Sequence, residues 1–250
     1  MTQPLHGRVA LVTGGSRGIG QATAMILARH GAAVAVNYLE QAEAAENVVR
    51  SITDDGGRAM AVQADIREAD AVTRMTAQIT TSLGPVEILV NNAGILRDKP
   101  VSFMTPQEWH AVLDTCLTGA FYVIKSVAKP MARAKWGRIV NISSDAGLLG
   151  DTLRANYASA KAGLIGLTKT VARELAPSGI TVNALAPGII ETDLVDHMSP
   201  AKRQAMLEHI PMRRFGSPDD VARAVLALVT EPGAYITGET LRIDGGLAMR

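Results

Sequence analysis

The sequence predicts an α/β fold: a parallel sheet, doubly wound from its centre, with helices on both faces. Three observations predict it. Short apolar runs alternate with longer stretches of helical periodicity along all 250 residues. The short runs are apolar throughout, which is the pattern of strands buried on both faces. A glycine-rich turn joins the first run to the first helical stretch, as happens where a βαβ unit of this class opens.

Taken in order, Arg8–Val12 reads as the first strand and residues from about Ile19 to His30 as the first helix, with Gly31 at its C-cap. Ala33–Asn37 is the second strand, and Gln41–Ser51 is a helix rich in Ala and Glu. Arg58–Ala64 and the helix at about Glu68–Ser82 follow, then a fourth strand at Ile88–Asn91. A long helix at about Pro106–Ala132 leads to the fifth strand, Arg138–Ile142. A second, Tyr157–Leu175, leads to the sixth, Ile180–Ala184, and Leu241–Ile243 is a short last strand. Without a linker, repeat or low-complexity stretch, residues 1–250 are expected to form a single Rossmann-like domain.

Composition narrows the function. Hydrophobic residues make up 47%, enough for one large core, and the formal net charge is +1 with no long run of one sign. That balance favours neither nucleic acid nor a membrane surface as partner. One cysteine, Cys116, leaves no disulfide framework and fits a reducing cytoplasm. A signal peptide and an uncharged stretch of about 20 apolar residues are both missing, so a soluble cytoplasmic protein is expected.

The glycine turn is Thr13-Gly14-Gly15-Ser16-Arg17-Gly18-Ile19-Gly20. Glycines there let backbone N–H groups approach a pyrophosphate, and the helix N-terminus adds a favourable dipole. A plain tight turn explains such glycines too; the position between first strand and first helix is what favours a dinucleotide. Enzymes that prefer NAD place an acid on the ribose 2′-hydroxyl about 20 residues further on. Here the second strand ends Val36-Asn37-Tyr38-Leu39, with no carboxylate before Glu40. Asn37 could donate to a 2′-phosphate and Arg17 could pair with it, so NADPH is expected over NADH.

Tyr157-Ala158-Ser159-Ala160-Lys161 puts a phenol and an ammonium on one helical face. A cation about 4 Å away, at an effective dielectric of about 20, stabilises a phenolate by about 4 kcal/mol, which suits a tyrosine to proton transfer near neutral pH. Alone, such a pair is more often an ordinary feature of a helix surface. Its company changes the reading: Ser143 and Ser144 directly follow the fifth strand, at the carboxyl edge where open α/β sheets bind ligands. A hydroxyl there can bond a substrate carbonyl, although either serine could equally cap the strand end.

The glycine turn, Asn91-Asn92-Ala93-Gly94, the serine, Tyr157-x3-Lys161 and Pro187-Gly188-Ile189-Ile190-Glu191-Thr192 occur in the order of the short-chain dehydrogenase/reductase family, which the whole chain resembles. Asn91–Asp98, Gly137–Ser144, Asn156–Gly166 and Tyr235–Gly246 look most like the 3-oxoacyl-[acyl-carrier-protein] reductases of fatty-acid synthesis. The resemblance implies Ser144, 13 residues before Tyr157, as catalytic serine in preference to Ser143. It implies Tyr157 as proton donor and Lys161 as holder of the nicotinamide ribose. Gly14, Ser16, Arg17 and Ile19 would meet the cofactor phosphates, Asp65 and Ile66 the adenine, Asn92 the adenosine ribose, and Ile190 and Thr192 the carboxamide. Residues from about Thr192 to Phe215 would form a substrate lid.

Two departures stand out. Cys116, in Asp114-Thr115-Cys116-Leu117, occupies the place of an asparagine that in the family helps hold a water of the proton relay; a buried thiol is a weaker partner. Arg133, Lys135 and Arg173 could form a basic patch for an acidic carrier protein near the active-site mouth, but Pro177-Ser178 lacks the arginine of some relatives. The expected activity is NADPH-dependent reduction of a 3-oxoacyl thioester on carrier protein or coenzyme A. The alternatives are a reductase for other ketones, keto esters or sugars, and a cofactor-binding regulator without turnover. The resemblance also implies a homotetramer. Leu164, Leu167, Val171 and the terminal stretch from Gly245 to Arg250 suit such contacts, though apolar helix positions suit a core equally.

Overall fold

The computed structural model describes residues 3–192 and 199–249. Seven parallel strands form one sheet in the order β3-β2-β1-β4-β5-β6-β7: β1 Val9–Val12, β2 Ala33–Tyr38, β3 Arg58–Gln63, β4 Ile88–Asn91, β5 Gly137–Ile142, β6 Ile180–Pro187 and β7 Thr240–Ile243. The chain winds outward from β1 in one direction and from β4 in the other. The two are neighbours, with Ala10 beside Ile88 and Val12 beside Val90. The connections diverge at the carboxyl ends of this pair, the switch point at which open α/β sheets bind ligands in a crevice.

Side-chain alternation along β1 explains the layers. Ala10 and Val12 point to one face with Val34 and Val36 of β2. There they meet Leu27 of helix α1 (Gly18–Arg29), Val48 and Ile52 of α2 (Ala42–Asp54), and Val221, Val225 and Leu228 near the C-terminus. Val9 and Leu11 point to the other face with Ala33 and Ala35. They pack on Val72, Met75 and Ile79 of α3 (Ala69–Ser82) and on the two long helices that precede β5 and β6. Both faces of the central strands are therefore dry, and the predicted α/β fold is the one observed.

Four features differ from the sequence expectation. The helix before β5 is divided into α4 (Pro106–Leu113) and α5 (Gly119–Ala134) by a π-helical turn, Asp114–Thr118, whose buried residue is Cys116. By length and apolar composition the run Pro106–Ala134 could cross a bilayer. Its apolar side, however, including Val123, Val127 and Met131, is packed on the sheet. Short α6 (Ala146–Leu149) precedes the long helix α7 (Ala155–Leu175), and α8 (Pro200–His209) lies within the expected lid. Helix α9 (Pro218–Val229) was not anticipated from the sequence. Its start is nevertheless legible: Ser217 accepts from Asp220 N at 3.2 Å, the Asp220 carboxylate accepts from Ser217 N at 2.8 Å, and Pro218 fills the first turn.

Candidate active site

The glycine turn closes on the sheet through the backbone. Thr13 N donates to Val90 O at 3.0 Å and Gly15 N to Asn37 O at 2.9 Å, tying the turn to β4 and β2. Thr13 Oγ1 accepts from the N–H groups of Asn92 (3.0 Å) and Ala93 (3.1 Å). Asn92 Nδ2 returns to Thr13 O at 3.0 Å and Gly14 O at 2.9 Å. Gly14 has φ +59°, and a Cβ there would sit 2.9 Å from Ala93 Cα. At Gly20 a Cβ would lie 2.2 Å from Gly14 O and 2.6 Å from Asn92 Nδ2, so no side chain fits between turn and helix.

This cradle fits a dinucleotide phosphate. No side chain caps α1 and its first turn carries no carboxylate. Its opening N–H groups stand at the carboxyl end of β1, where an anion is favoured by both hydrogen bonding and the helix dipole. Arg17 is the exposed N-cap residue, Ser16 and Ile19 are half-buried beside it, and the Thr192 methyl lies against Gly18. Ile190 is buried and pairs with Gly216. The turn thus gathers Gly14, Ser16, Arg17, Ile19, Asn92 and Thr192.

Other predicted cofactor positions have prior engagements. Asn37 is a correction: its amide is buried and donates to Val62 O (3.3 Å) and Ala64 O (3.1 Å) of the neighbouring chain segment. A buried amide must find acceptors, and the carbonyls at the end of β3 are the nearest. In this conformation it offers no donor to a 2′-phosphate. Asp65 accepts bidentately from Arg67, at 2.6 and 3.0 Å to one oxygen, and that guanidinium holds the carboxyl below the usual carboxylate range. Ile66 is buried against Gly119 at the head of α5.

On the β5–α7 side, Lys161 is 3% exposed. Its Nζ donates to Ile142 O at 2.7 Å, and its own carbonyl accepts from Ser143 Oγ at 2.9 Å. Among the described residues Ile142 O is the acceptor of that ammonium and no carboxylate pairs with it. A buried cation with three donors and one such partner has capacity left for ligand hydroxyls. The Tyr157 ring centroid is 5.5 Å from Nζ. Tyr157 is held by its neighbour: Asn156 Oδ1 accepts from Tyr157 N at 2.7 Å, while Asn156 Nδ2 reaches Arg97 O (3.1 Å) and Glu108 O (3.2 Å).

Ser144 follows β5 and is 7% exposed. Its Oγ donates to Asp145 Oδ1 at 2.8 Å and accepts from Ala146 N at 3.2 Å. Burial pushes the Asp145 carboxyl above its ordinary range; the bonds from Ser144 and Ala146 pull it back, and Asp151 and Asp244 add to the rise. Sequence reasoning missed Asp145 and Asn156, although each is adjacent to a candidate catalytic residue. Cys116 is buried with its sulfur 3.9 Å from Ile95 O, and the space at Gly94 lies 3.4 Å from that sulfur and 3.7 Å from Lys161 Nζ. The unusual cysteine is therefore a wall of the lysine pocket.

Two expectations about surfaces change. Arg133, Lys135 and Arg173 are exposed, but they end α5 and α7, which run into the amino ends of β5 and β6. They lie at the opposite edge of the sheet from the crevice, so they cannot rim this chain's own mouth. Leu164 and Val171 are buried in their own chain and belong to its core, and Leu167 packs beside them. Residues 193–198 of the expected lid, and Arg250 of the expected terminal contact, lie outside the described residues.

Comparison with known proteins agrees with this geometry. Residues 14–248 match a family model described as enoyl-(acyl carrier protein) reductase. A 3-oxoacyl-[acyl-carrier-protein] reductase of Synechocystis is 48% identical over 246 residues, covering 98% of both chains. That of Staphylococcus epidermidis is 46% identical over 240 residues, covering 96% of this chain and 98% of its own. A Vibrio cholerae relative of the same name is 43% identical over 245 residues, covering 98% and 99%. The chain belongs to the short-chain dehydrogenase/reductase family, oxidoreductases that interconvert CH–OH and C=O groups and use a nicotinamide cofactor.

Proposed function

We propose that this protein reduces a 3-oxoacyl thioester to the 3-hydroxyacyl form with NADPH. The observation that carries the reading is the buried Lys161 ammonium, held by Ile142 O at 2.7 Å with the Tyr157 ring 5.5 Å away, beside Ser144 at the carboxyl edge of β5. NADPH, when bound, supplies hydride to the carbonyl carbon. Tyr157 would give its phenolic proton to the carbonyl oxygen, and the Lys161 ammonium, 5.5 Å from the ring centroid, is the cation nearest the phenolate that remains. Ser144 would hydrogen-bond the same oxygen, and the remaining Lys161 donors would hold the ribose hydroxyls of the cofactor.

The relatives named above carry the thioester part of the proposal, since their names specify 3-oxoacyl-[acyl-carrier-protein] as substrate. Preference for the 2′-phosphate rests on Arg17 at the exposed lip of the turn and on the missing carboxylate at the end of β2. The carrier protein would be an acidic partner, and a homotetramer in the cytoplasm is the expected setting. Tyr235 and Met249 are strongly exposed and Leu241 moderately so, which leaves apolar surface around β7 for a second copy. Two-fold antiparallel pairing of α5 and α7 would bring Arg133, Lys135 and Arg173 of one chain towards its partner's crevice.

The test is NADPH oxidation at 340 nm with an acetoacetyl thioester, for the parent chain and for Tyr157→Phe and Cys116→Asn. Turnover that Tyr157→Phe reduces at least a thousandfold is expected, with Cys116→Asn faster than the parent. NADPH binding without turnover in parent and Cys116→Asn alike would overturn the thioester assignment.

A further inference from the structure

Ser144 has one hydroxyl hydrogen, and the structure commits it. Oγ accepts from Ala146 N at 3.2 Å and donates to Asp145 Oδ1 at 2.8 Å. An ionised carboxylate only accepts. What Ser144 then presents to the crevice is a lone pair, which suits an alcohol O–H and opposes a ketone oxygen. A developing alkoxide needs donors, so Ser144 must break a charge-assisted bond before it can serve the transition state.

We propose that Asp145 is a positioning residue that sets the direction of the Ser144 hydrogen bond, so that the resting enzyme favours the hydroxyacyl product over the oxoacyl substrate and restrains the rate in both directions. This rests on the assignment of Ser144 as hydrogen-bond partner of the substrate oxygen. Asp145 also caps the four-residue α6 by accepting from Ala146 N at 2.8 Å. The carboxylates whose fields reach it are Asp151, before α7, and Asp244, after β7; both oppose its ionisation. Neither relieves the competition for the serine proton while Asp145 stays charged.

Asp145→Asn tests the idea because an amide oxygen still caps Ala146 N but accepts from Ser144 without charge assistance. The weaker bond should tighten acetoacetyl-coenzyme A binding to the NADP⁺-loaded enzyme about fivefold. It should leave 3-hydroxybutyryl-coenzyme A binding to the NADPH-loaded enzyme unchanged or weaker. The two directions share one transition state and the overall equilibrium is fixed. With cofactor affinities unchanged, kcat/KM therefore rises by one common factor in both. In a Ser144→Ala background, Asp145→Asn should change none of these. Equal shifts in ketone and alcohol binding, no shift in either, or an effect that persists without Ser144 would overturn the proposal. If Ser144→Ala retains full activity, the assignment of Ser144 fails instead; if it loses at least tenfold while Asp145→Asn leaves ketone binding unchanged, only the role of Asp145 fails.

Discussion

Gly20→Ala tests the cradle at its tightest point. The new Cβ would stand 2.2 Å from Gly14 O and 2.6 Å from Asn92 Nδ2. Carbon–oxygen contacts ordinarily begin near 3.3 Å, so the Gly14 carbonyl must retreat by about 1 Å. The Asn92 bonds to Thr13 O at 3.0 Å and Gly14 O at 2.9 Å then stretch beyond bonding range. Two lost bonds at about 1 kcal/mol each and overpacking of about 1–3 kcal/mol are offset by about 1 kcal/mol of helix propensity. The net destabilisation is about 2–4 kcal/mol. For a chain of this length that lowers Tm by roughly 5–15 °C, measured at fixed protein concentration. NADPH affinity, read by fluorescence titration, should fall between tenfold and a hundredfold because the phosphate-binding N–H groups move with the turn. Parental Tm together with parental NADPH affinity would refute the claim that the turn needs glycine here for close approach.

Three further outcomes follow from the same geometry. Asn141→Ala removes a buried link whose Oδ1 accepts from Asn91 Nδ2 at 2.8 Å and whose Nδ2 donates to Thr168 Oγ1 at 2.9 Å; denaturant melts should show a loss of about 2–4 kcal/mol. Lys135, the α5 C-cap at φ +52°, should give about 1 kcal/mol of added stability when replaced by Gly, seen as a higher denaturation midpoint. Glu108 is lowered from 4.5 to about 2 by its bonds with Thr105 and Lys99, and Asp220 lies below the usual carboxylate range through Arg214 and Ser217. A depressed carboxyl contributes stability above its unfolded pKa and loses it as pH falls, so stability should decline from about pH 4.5 towards pH 2, and Glu108→Gln should flatten that decline.

The strands were legible because burial on both faces leaves short all-apolar runs between turn residues: Val9-Ala10-Leu11-Val12 and Ile139-Val140 carry no polar alternation to confuse with a surface strand. What escaped depends on partners distant in sequence. Asn37 read as a free donor because its acceptors, Val62 O in β3 and Ala64 O just beyond it, lie 25 and 27 residues away. The basic residues after α5 and α7 read as a rim of the mouth because sequence does not say which end of a helix faces the crevice. The π-helical turn at Asp114–Thr118 has no proline within it and no glycine until Gly119, so periodicity alone ran the helix through. Helix α9 was the exception: its Ser217-Pro218-Asp219-Asp220 start was present in the sequence and was overlooked beside the expected lid.

The Tyr157-x3-Lys161 spacing places both groups on one face of α7, but a helix face spans a wide arc and spacing does not aim it. The aim comes from β5. Ile142 O takes the Lys161 ammonium and Ser143 Oγ takes the Lys161 carbonyl, so two consecutive residues of one strand end grip both ends of a single lysine. Two turns further along, Thr168 accepts from Asn141 of the same strand while donating to Leu164 O. These bonds are buried, where mispairing costs most, and they fix α7 in both rotation and height over the carboxyl edge. A helix pinned in this way also fixes Tyr157, whose ring centroid stands 5.5 Å from the Lys161 ammonium. Under the proposed mechanism, what remains to be set locally is hydrogen-bond direction at Ser144, where the Asp145 carboxylate takes the serine proton at 2.8 Å.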